Sequence, residues 1–441
     1  MKKLLIAVIS LLLIVAGLYS LRKENNFKRH NANFISSEVA VAWFELQTNL
    51  VRGSNNYTPP SVARVFGYSG VTLYEAVLPG SEGNSSLFEI LGFTEVVPKF
   101  DSTKEYNWEI VANEALSEIT KEMFPSVGIE KVRKISELKT AIEEKHSDVS
   151  PEVYAASKAW GKEVAQAIFE FSKDDGGHMA FLDNFPEKFD SVNGEGAWVA
   201  TAPNYLSALL PYWGDNRYFV AASDEGCILA PHPEFSTNVD SEFYKEAYEV
   251  YETTNTLTKE ENEIAVFWAD DSGETSTPPG HWISILNGIL EKDEYSLFES
   301  AEIYAKLGIV LSDSFISAWK EKYDYNLIRP ITYIQKYIDP AWDTPEIIDQ
   351  VVTPPFPEYP SGHSVQSGAA ATVLTDYFGE NFSFVDFTHF DKPRVFNSFM
   401  EAADEAAISR LYGGIHFRSA IDNGIDLGVC IGEKVNNIKL K

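Results

Sequence analysis

The chain has 441 residues, of which 44% are hydrophobic and 23% charged, a composition typical of a globular protein with enough apolar side chains to fill a core. Its formal net charge of −29 excludes nucleic-acid binding, which requires a basic surface. A site for an anion must therefore be built locally, from a few cationic side chains held against the field of an acidic protein.

The N-terminus has the layout of a bacterial export signal. Two lysines precede an apolar run from Leu4 to Leu18, and polar residues resume at Arg22. We predict a signal peptide over residues 1–21 and an exported protein, periplasmic or secreted, with a single N-terminal membrane anchor as the alternative. The two cysteines of the chain, Cys227 and Cys430, can then form one disulfide or remain as two buried thiols.

Helical periodicity dominates the rest of the chain, and strand-like alternation is scarce. Nine segments carry apolar residues at spacings of three and four: Ser36–Asn49, Pro59–Val77, Asn107–Phe124, Glu130–His146, Pro151–Phe171, Ser241–Thr254, Lys259–Trp268, His281–Leu290 and Leu297–Trp319. The stretch Lys173–Ser236 is rich in Gly, Pro, Asn and aromatic residues, which predicts a long irregular loop of the kind that lines active sites. The predicted fold is all-α, with helical halves over 35–235 and 236–441 and long irregular loops.

Two short patterns follow the last of these predicted helices. The first is Lys322, six further residues, then Arg329 and Pro330. Proline interrupts helical hydrogen bonding, so Arg329 can turn its guanidinium inward at a break. The second is PSGH, ending at His363 and followed by a run of small residues. It is typical of a helix N-terminus, where free backbone N–H groups and the helix dipole bind anions.

The third pattern is Arg410, five residues and then His416, in a helix-like stretch interrupted by Gly413 and Gly414. Each pattern alone has an ordinary structural explanation as a helix cap or a hydrogen-bonded core histidine. Together they supply three cations, a serine, a glycine amide and two histidines. That set suits a tetrahedral oxyanion, with one imidazole to attack or coordinate its centre and the other to move protons.

In this order and spacing, the three patterns resemble the signature shared by vanadium-dependent haloperoxidases, including the bacterial iodoperoxidases, and the acid phosphatases of the type 2 phosphatidic acid phosphatase superfamily. The match covers about the last quarter of the chain. The resemblance implies an all-α fold of two helical bundles. It also implies a vanadate cofactor, with hydrogen peroxide and a halide ion as substrates and small organic molecules as possible halogen acceptors.

The resemblance assigns a role to each residue of the three patterns. Vanadate would be held by the side chains of Lys322, Arg329, Ser361 and Arg410 and by the amide of Gly362. His416 would be the vanadium ligand, or the nucleophile in a phosphatase. His363 would be the acid–base residue, and Lys322 would also polarise bound peroxide. The metal would act throughout as a Lewis acid.

Aromatic residues next to these patterns favour a peroxidase over a phosphatase. Trp319 lies three residues before Lys322, and Phe356 lies five before Ser361, at positions where the resemblance implies a halide pocket. An apolar wall there would exclude water from the activated oxygen. We predict oxidation of iodide, then bromide. The alternatives are an exported acid phosphatase with His416 as nucleophile and a non-catalytic oxyanion-binding protein. Oligomeric state and organic acceptor stay open.

One position departs from the family pattern. Many members have an aspartate four residues after the last histidine, but Ala420 stands there. We therefore predict that Asp422 or a backbone carbonyl orients His416. Asp270 and Asp271 are possible partners for Arg410. His178 and His281 are left out of the predicted site.

Overall fold

The computed structural model describes residues 31–93, 97–186, 189, 194–220, 225–273, 275–342, 351–389 and 391–440. The predicted signal peptide lies outside these residues. Within them the chain is mostly helical, with only two short strands, which confirms the all-α prediction. No helix in this described part is long and apolar enough to cross a membrane.

Five helices form the first part of the chain: α1 (Glu38–Val51), α2 (Pro59–Val77), α3 (Trp108–Met123), α4 (Ile129–Lys145) and α5 (Pro151–Ser172). They coincide with the first five predicted segments. Asn107 and Ser150 cap α3 and α5 by accepting hydrogen bonds from the backbone N–H groups of Ile110 and Val153. These caps satisfy donors that a helix leaves free at its start.

The next four helices are α6 (Glu242–Asn255), α7 (Lys259–Phe267), α8 (Thr277–Lys292) and α9 (Leu297–Tyr325). Between α5 and α6 the described residues contain only short 3₁₀ turns, as the composition of that stretch predicts. The helix α9 continues to Tyr325, beyond its predicted end at Trp319, and Asn326 ends it in a left-handed conformation. Lys322 therefore lies inside α9, and the prediction that it follows the helix is wrong.

Four further helices complete the chain: α10 (Pro330–Tyr337), α11 (Gly362–Phe378), α12 (Phe399–Tyr412) and α13 (Arg418–Asn436). Pro330 begins α10 rather than ending a helix, because its missing N–H costs nothing at a first helical position. A two-stranded antiparallel hairpin, β1 (Phe384–Asp386) and β2 (Arg394–Phe396), pairs Val385 with Val395 and was not predicted from the sequence.

The long helix α9 joins two packed groups of helices. On one side it packs most extensively on α2, and on the other it contacts α11, which packs against α12 and α13. Glycine allows the close approach of α2 and α9, because a side chain at Gly70 would meet the backbone of Tyr304 and one at Gly308 would meet the backbone of Phe66. The site described next lies at the ends of α9, α11 and α12.

Cys227 and Cys430 form a disulfide between the long loop and α13, closing a sequence separation of 203 residues. Of the two possibilities left open by the sequence, the structure contains the paired one.

Candidate active site

The structure brings the residues of the three patterns to one cavity of about 370 Å³. Gly362, His363, Arg410 and His416 line it, and Lys322 and Arg329 lie beside it against the ring of Phe356. Each of these residues lies at or near the end of a helix, where the regular backbone hydrogen bonding stops. Lys322 is in the last turn of α9, Arg329 is the residue before α10, and Ser361 caps α11. Arg410 is in the last turn of α12, and His416 lies in the short connection to α13.

The start of α11 supplies backbone donors to this cavity. Ser361 is the N-cap of the helix and accepts a hydrogen bond from the backbone N–H of Ser364 at 3.3 Å. Gly362 follows as the first helical residue, and a side chain there would lie 3.5 Å from Trp319 and 3.8 Å from Lys322. The N-terminus of α11 and its free N–H groups therefore lie at the cavity, next to Lys322.

Two fully buried arginines are anchored by backbone carbonyls. Arg329 donates through Nε to the carbonyl of Phe356 at 2.9 Å and through Nη1 to that of Ile415 at 2.9 Å. Arg410 donates through Nη2 to the carbonyl of Trp268 at 2.6 Å. Burial lowers the pKa of each arginine to about 10, which leaves both charged at neutral pH. Nη2 of Arg329 has no hydrogen-bond partner among the described residues.

Lys322 is fully buried and contacts three carbonyl oxygens of the segment leading into α11. Its Nζ donates to Pro357 at 3.1 Å, to Glu358 at 3.0 Å and to Pro360. Burial lowers the pKa of Lys322, and Arg329 lowers it further, whereas Glu358 opposes the shift. Because an ammonium has three N–H donors, Lys322 here fixes the position of this segment. It can donate to a bound anion only by giving up one of these bonds.

His416 is oriented by Glu358, a residue that the sequence reasoning missed. Oε1 of Glu358 lies 2.8 Å from Nδ1 of His416 and also accepts from the backbone N–H of Phe417 at 2.9 Å. The prediction that Asp422 or a backbone carbonyl orients His416 is therefore wrong. Glu358 lies two residues before the PSGH pattern but 58 residues from His416, so no local spacing reveals the pair.

This arrangement fixes the tautomer of His416. Burial lowers the pKa of the imidazole well below its usual range, and the neighbouring Arg329 and Lys322 lower it further. The ring is therefore neutral, with its proton on Nδ1 toward Glu358. Nε2 keeps its lone pair and lies 3.3 Å from Nη1 of Arg329. Burial also raises the pKa of Glu358 to about 8, against the opposing charges of Arg329 and Lys322.

His363, in the first turn of α11, lines the same cavity as Arg410 and His416. Burial lowers the pKa of His363 well below its usual range, and Arg410 and His281 lower it further. Its Nε2 atom is buried and has no hydrogen-bond partner in the described part of the chain. A neutral imidazole with an unused nitrogen can accept or donate a proton within the cavity.

The two aromatic residues predicted beside the cations do lie there. Trp319 and Phe356 both line the cavity, and their ring centroids are 4.9 Å apart. Nζ of Lys322 is 5.0 Å from the Phe356 ring centroid, and Cζ of Arg329 is 4.9 Å from it. Cations at these distances from ring faces are stabilised by the ring quadrupole, which partly offsets their loss of hydration. One wall of the cavity is therefore apolar and in contact with two of the cations.

A buried group behind the cavity includes His281, which the sequence reasoning left out. Its Nδ1 lies 2.8 Å from Oδ2 of Asp270, and its Nε2 lies 2.7 Å from Oδ2 of Asp386. Burial alone would lower the pKa of His281, but the two carboxylates outweigh it and raise the pKa to about 10. His281 is thus an imidazolium at neutral pH. Asp270 also lines the cavity, where Asp270 and Asp271 support the charge of Arg410 through space. The other omitted histidine, His178, lies against Phe169, outside this cavity.

We expect His281→Leu to lower the free energy of unfolding at pH 7 by about 3–5 kcal/mol, because two buried carboxylates lose the cation between them. The folded-state pKa of His281 is raised from 6.5, so its stabilising charge is fully present below pH 6.5 and declines until the proton leaves near pH 10. Urea unfolding at pH 7 and above pH 10 tests both points. The difference in the free energy of unfolding between variant and wild type should be smaller at the higher pH. As a control, His178→Leu, at a half-buried site, should lower the free energy of unfolding by less than about 1 kcal/mol. An equal loss at both pH values would show that His281 is neutral.

The cavity fits a tetrahedral oxyanion. Arg410 and the N-terminus of α11 line it, Arg329 and Lys322 lie beside it, and buried polar atoms without partners are otherwise rare in folded proteins. Nη2 of Arg329 and Nε2 of His363 are two such atoms, and both are available to oxygen atoms of a bound anion. The neutral Nε2 of His416 offers one lone pair to the centre of the anion.

Comparisons with known proteins agree with this geometry. The family model for the VCPO second helical-bundle domain matches residues 302–440, from within α9 to the end of α13. A crystal structure described as the first bacterial vanadium-dependent iodoperoxidase is 36% identical in sequence, with a TM-score of 0.83. That match covers 92% of this chain and 98% of the iodoperoxidase. The chain belongs to the family of vanadium-dependent haloperoxidases.

Two more distant relatives were also found. The holo form of a bacterial vanadium-dependent chloroperoxidase shares the fold, with a TM-score of 0.66 over 86% of this chain and 92% of that one, at 17% identity. The vanadium chloroperoxidase of Curvularia inaequalis is 29% identical over 133 residues. That alignment spans 26% of this chain and only 22% of the fungal protein.

Proposed function

We propose that the protein uses vanadate to oxidise halide ions with hydrogen peroxide, giving hypohalous acid or an equivalent halogenating species, with iodide preferred over bromide. The observation that carries this proposal is the neutral His416 ring at the cavity wall, whose Nε2 lone pair faces the buried Arg329. Such a nitrogen is suited to ligate the central atom of an oxyanion. The 36% identity to an iodoperoxidase supports the choice of halide.

The residues divide the work of binding between them. Arg329, Arg410 and Lys322 would neutralise the vanadate oxygens, and the Ser361 hydroxyl and Gly362 amide would donate to them. His416 would ligate vanadium through Nε2. When bound, vanadate supplies a Lewis-acid centre that polarises hydrogen peroxide. Glu358 keeps the proton of His416 on Nδ1, so that Nε2 remains available.

Proton transfer and exclusion of water fall to other side chains. Nε2 of His363, unpartnered in the cavity, would take a proton from entering peroxide and return it to the departing oxygen. Lys322 would donate to the oxygen that the halide attacks, after releasing one of its three carbonyls. The wall formed by Trp319 and Phe356 gives a weakly hydrated surface on which a large halide loses less hydration energy than a small one.

The proposal is tested by assaying metal-stripped protein, with and without added orthovanadate, for iodide oxidation and for aryl phosphate hydrolysis. We expect triiodide to form only with vanadate and hydrogen peroxide, at a higher rate than the corresponding product of bromide. We expect excess phosphate to inhibit by competing for the same cations. Aryl phosphate hydrolysis without triiodide formation would mean instead that His416 attacks phosphorus.

We also infer that the protein works outside the cytoplasm. The signal-like N-terminal sequence supports this, and so does the Cys227–Cys430 disulfide, because such bonds persist in oxidising compartments. Intact-mass analysis of protein from periplasmic and culture fractions should give a chain shortened by about 21 residues. A full-length chain confined to the cytoplasm would contradict the inference.

A further inference from the structure

A group of polar side chains behind the cavity brings together two imidazoles and a carboxylate. Asp270 comes from the loop after α7, His281 from α8 and His389 from the loop of the hairpin β1–β2. One ligating atom of each side chain lies within 4.8 Å of those of the other two. Asp270 and His281 are buried, and His389 is half-buried. Neither imidazole takes part in halide oxidation as proposed above, so the group needs another explanation.

Two atoms of this group are buried without a hydrogen-bond partner. They are Oδ1 of Asp270 and Nε2 of His389, and neither has a partner in those parts of the chain that the structure describes. Such atoms are rare in folded proteins, because burial removes their hydration and nothing replaces it. A carboxylate oxygen and an imidazole nitrogen are both ligands for divalent metals. A cation bound between them would satisfy both atoms.

The charges in this group also favour a divalent cation. The Oδ2 atoms of Asp270 and Asp386 lie 2.8 Å and 2.7 Å from the two ring nitrogens of His281, so two buried carboxylates share one imidazolium. One negative charge among these three side chains is therefore left unbalanced. A divalent cation that replaced the Nδ1 proton of His281, with the proton released to solvent, would bring their net charge to zero. Buried charges are costly unless they are balanced in this way.

We propose that Asp270, His281 and His389 form a zinc site behind the cavity. Asp270 would ligate through a carboxylate oxygen, His281 through Nδ1 and His389 through Nε2. Zinc binds nitrogen and oxygen ligands of this kind, and three protein ligands leave a fourth position for water. Zinc also has no redox chemistry, so it would not decompose hydrogen peroxide in the neighbouring cavity.

Asp386 would act as the partner that orients His281. With Nδ1 on the metal, Nε2–H of His281 donates to Oδ2 of Asp386 at 2.7 Å. The other oxygen of Asp386 accepts from the backbone N–H of Thr388 at 2.8 Å. A carboxylate behind a ligating histidine fixes its tautomer and strengthens the metal–nitrogen bond. In metal-free protein His281 keeps both protons, and the two carboxylates accept from them.

The bound zinc would join three elements that are distant in the sequence. It would tie the hairpin β1–β2 to α8 and to the loop that carries Asp270, which also lines the cavity. The site would thus hold the wall behind Arg410 in place without contacting the oxyanion. It does not depend on which reaction the cavity performs.

Calorimetric titration of chelator-treated, vanadate-free protein with Zn²⁺ tests the proposal. We expect one zinc to bind per chain and His389→Gln to weaken its binding by more than about a hundredfold, because a lost ligand costs more than a lost orienting partner. His178→Gln changes another half-buried histidine, packed on Phe169, and should bind zinc as the wild type does. Failure of the wild type to bind one zinc, or equal affinity in His389→Gln, would overturn the proposal.

His416→Ala distinguishes this site from zinc held by the cavity histidines. We expect this variant to keep wild-type affinity for zinc. Binding that is lost in His416→Ala and kept in His389→Gln would place the metal in the oxyanion cavity and overturn the proposal.

Two further measurements do not depend on comparing affinities. Zinc at about a hundredfold above its Kd should raise the Tm of the wild type and of His178→Gln by about 3 °C, and leave that of His389→Gln unchanged. An equal shift in all three would overturn the proposal. X-ray absorption of the zinc-loaded wild type needs no variant and should show two imidazole ligands with oxygen completing the shell. A spectrum with fewer than two imidazoles would also overturn it.

Discussion

His416→Ala is expected to abolish vanadate-dependent iodide oxidation and to weaken vanadate binding by more than about a hundredfold, because removing a ligand costs more than removing the partner that orients it. The physical reason is specific to one atom. Nε2 of His416 is the neutral ring nitrogen that faces Arg329, and alanine offers no lone pair at that place. Equilibrium dialysis with vanadate and a triiodide assay measure the two effects separately.

His363→Ala provides the matched control, since it removes the other cavity imidazole. Its unpartnered Nε2 is assigned to proton transfer rather than to ligation. This variant should therefore bind vanadate with an affinity within about tenfold of wild type while losing most of its turnover. Vanadate binding that survives in the His416 variant and disappears in the His363 variant would reverse the two assignments.

Glu358→Leu is expected to weaken vanadate affinity by about 10–100-fold, the usual cost of losing the acceptor behind a metal-ligating histidine. The change leaves Nδ1–H of His416 and the backbone N–H of Phe417 without their shared acceptor, Oε1. The imidazole can then rotate or move its proton to Nε2, which removes the lone pair from the cavity. Glu358→Gln keeps one acceptor oxygen and replaces Oε2, which has no partner among the described residues, by an amide NH₂, so its effect should lie between those of leucine and wild type.

Glu75→Gln controls for general effects of changing a buried carboxyl group. Glu75 lies in α2, is buried and accepts from the Ser86 hydroxyl at 3.0 Å, and it does not line the cavity. Vanadate affinity should be unchanged in this variant. If Glu358→Leu lowered thermal stability but left vanadate affinity and the pH profile of turnover as in wild type, Glu358 would have only a structural role.

Local patterns were enough to predict the helices and to bring together the residues of the cavity. The spacing of apolar residues in a helix follows from helix geometry alone, so each of the nine predicted segments corresponds to a helix. Composition was enough to identify the irregular stretch before α6. The three cationic residues and the two histidines lie within three short sequence patterns, so their spacing is visible in the sequence. The end of α9 was missed because Lys322 and Tyr325 continue a helix whose apolar stripe has already ended.

Contacts between side chains that are far apart in the sequence were not predicted. His281 and Asp386 are 105 residues apart, and only the hairpin β1–β2 places that carboxylate against the ring. In the same way, the sequence predicted that a residue after His416 would orient its imidazole. Glu358 has that role instead, because the segment before α11 lies next to the ring. Single residues with ordinary local surroundings give no sign of such long-range partners.

We propose that this cavity binds one vanadate and that the bound vanadate makes the protein a halide-oxidising enzyme. The most direct measurement is a titration of metal-stripped protein with orthovanadate, following bound vanadium and triiodide formation in the same samples. We expect activity to rise in proportion to bound vanadium, to saturate at one vanadium per chain and to fall when phosphate displaces it. Iodide oxidation that is independent of vanadium, or one bound vanadium per chain without any activity, would contradict it.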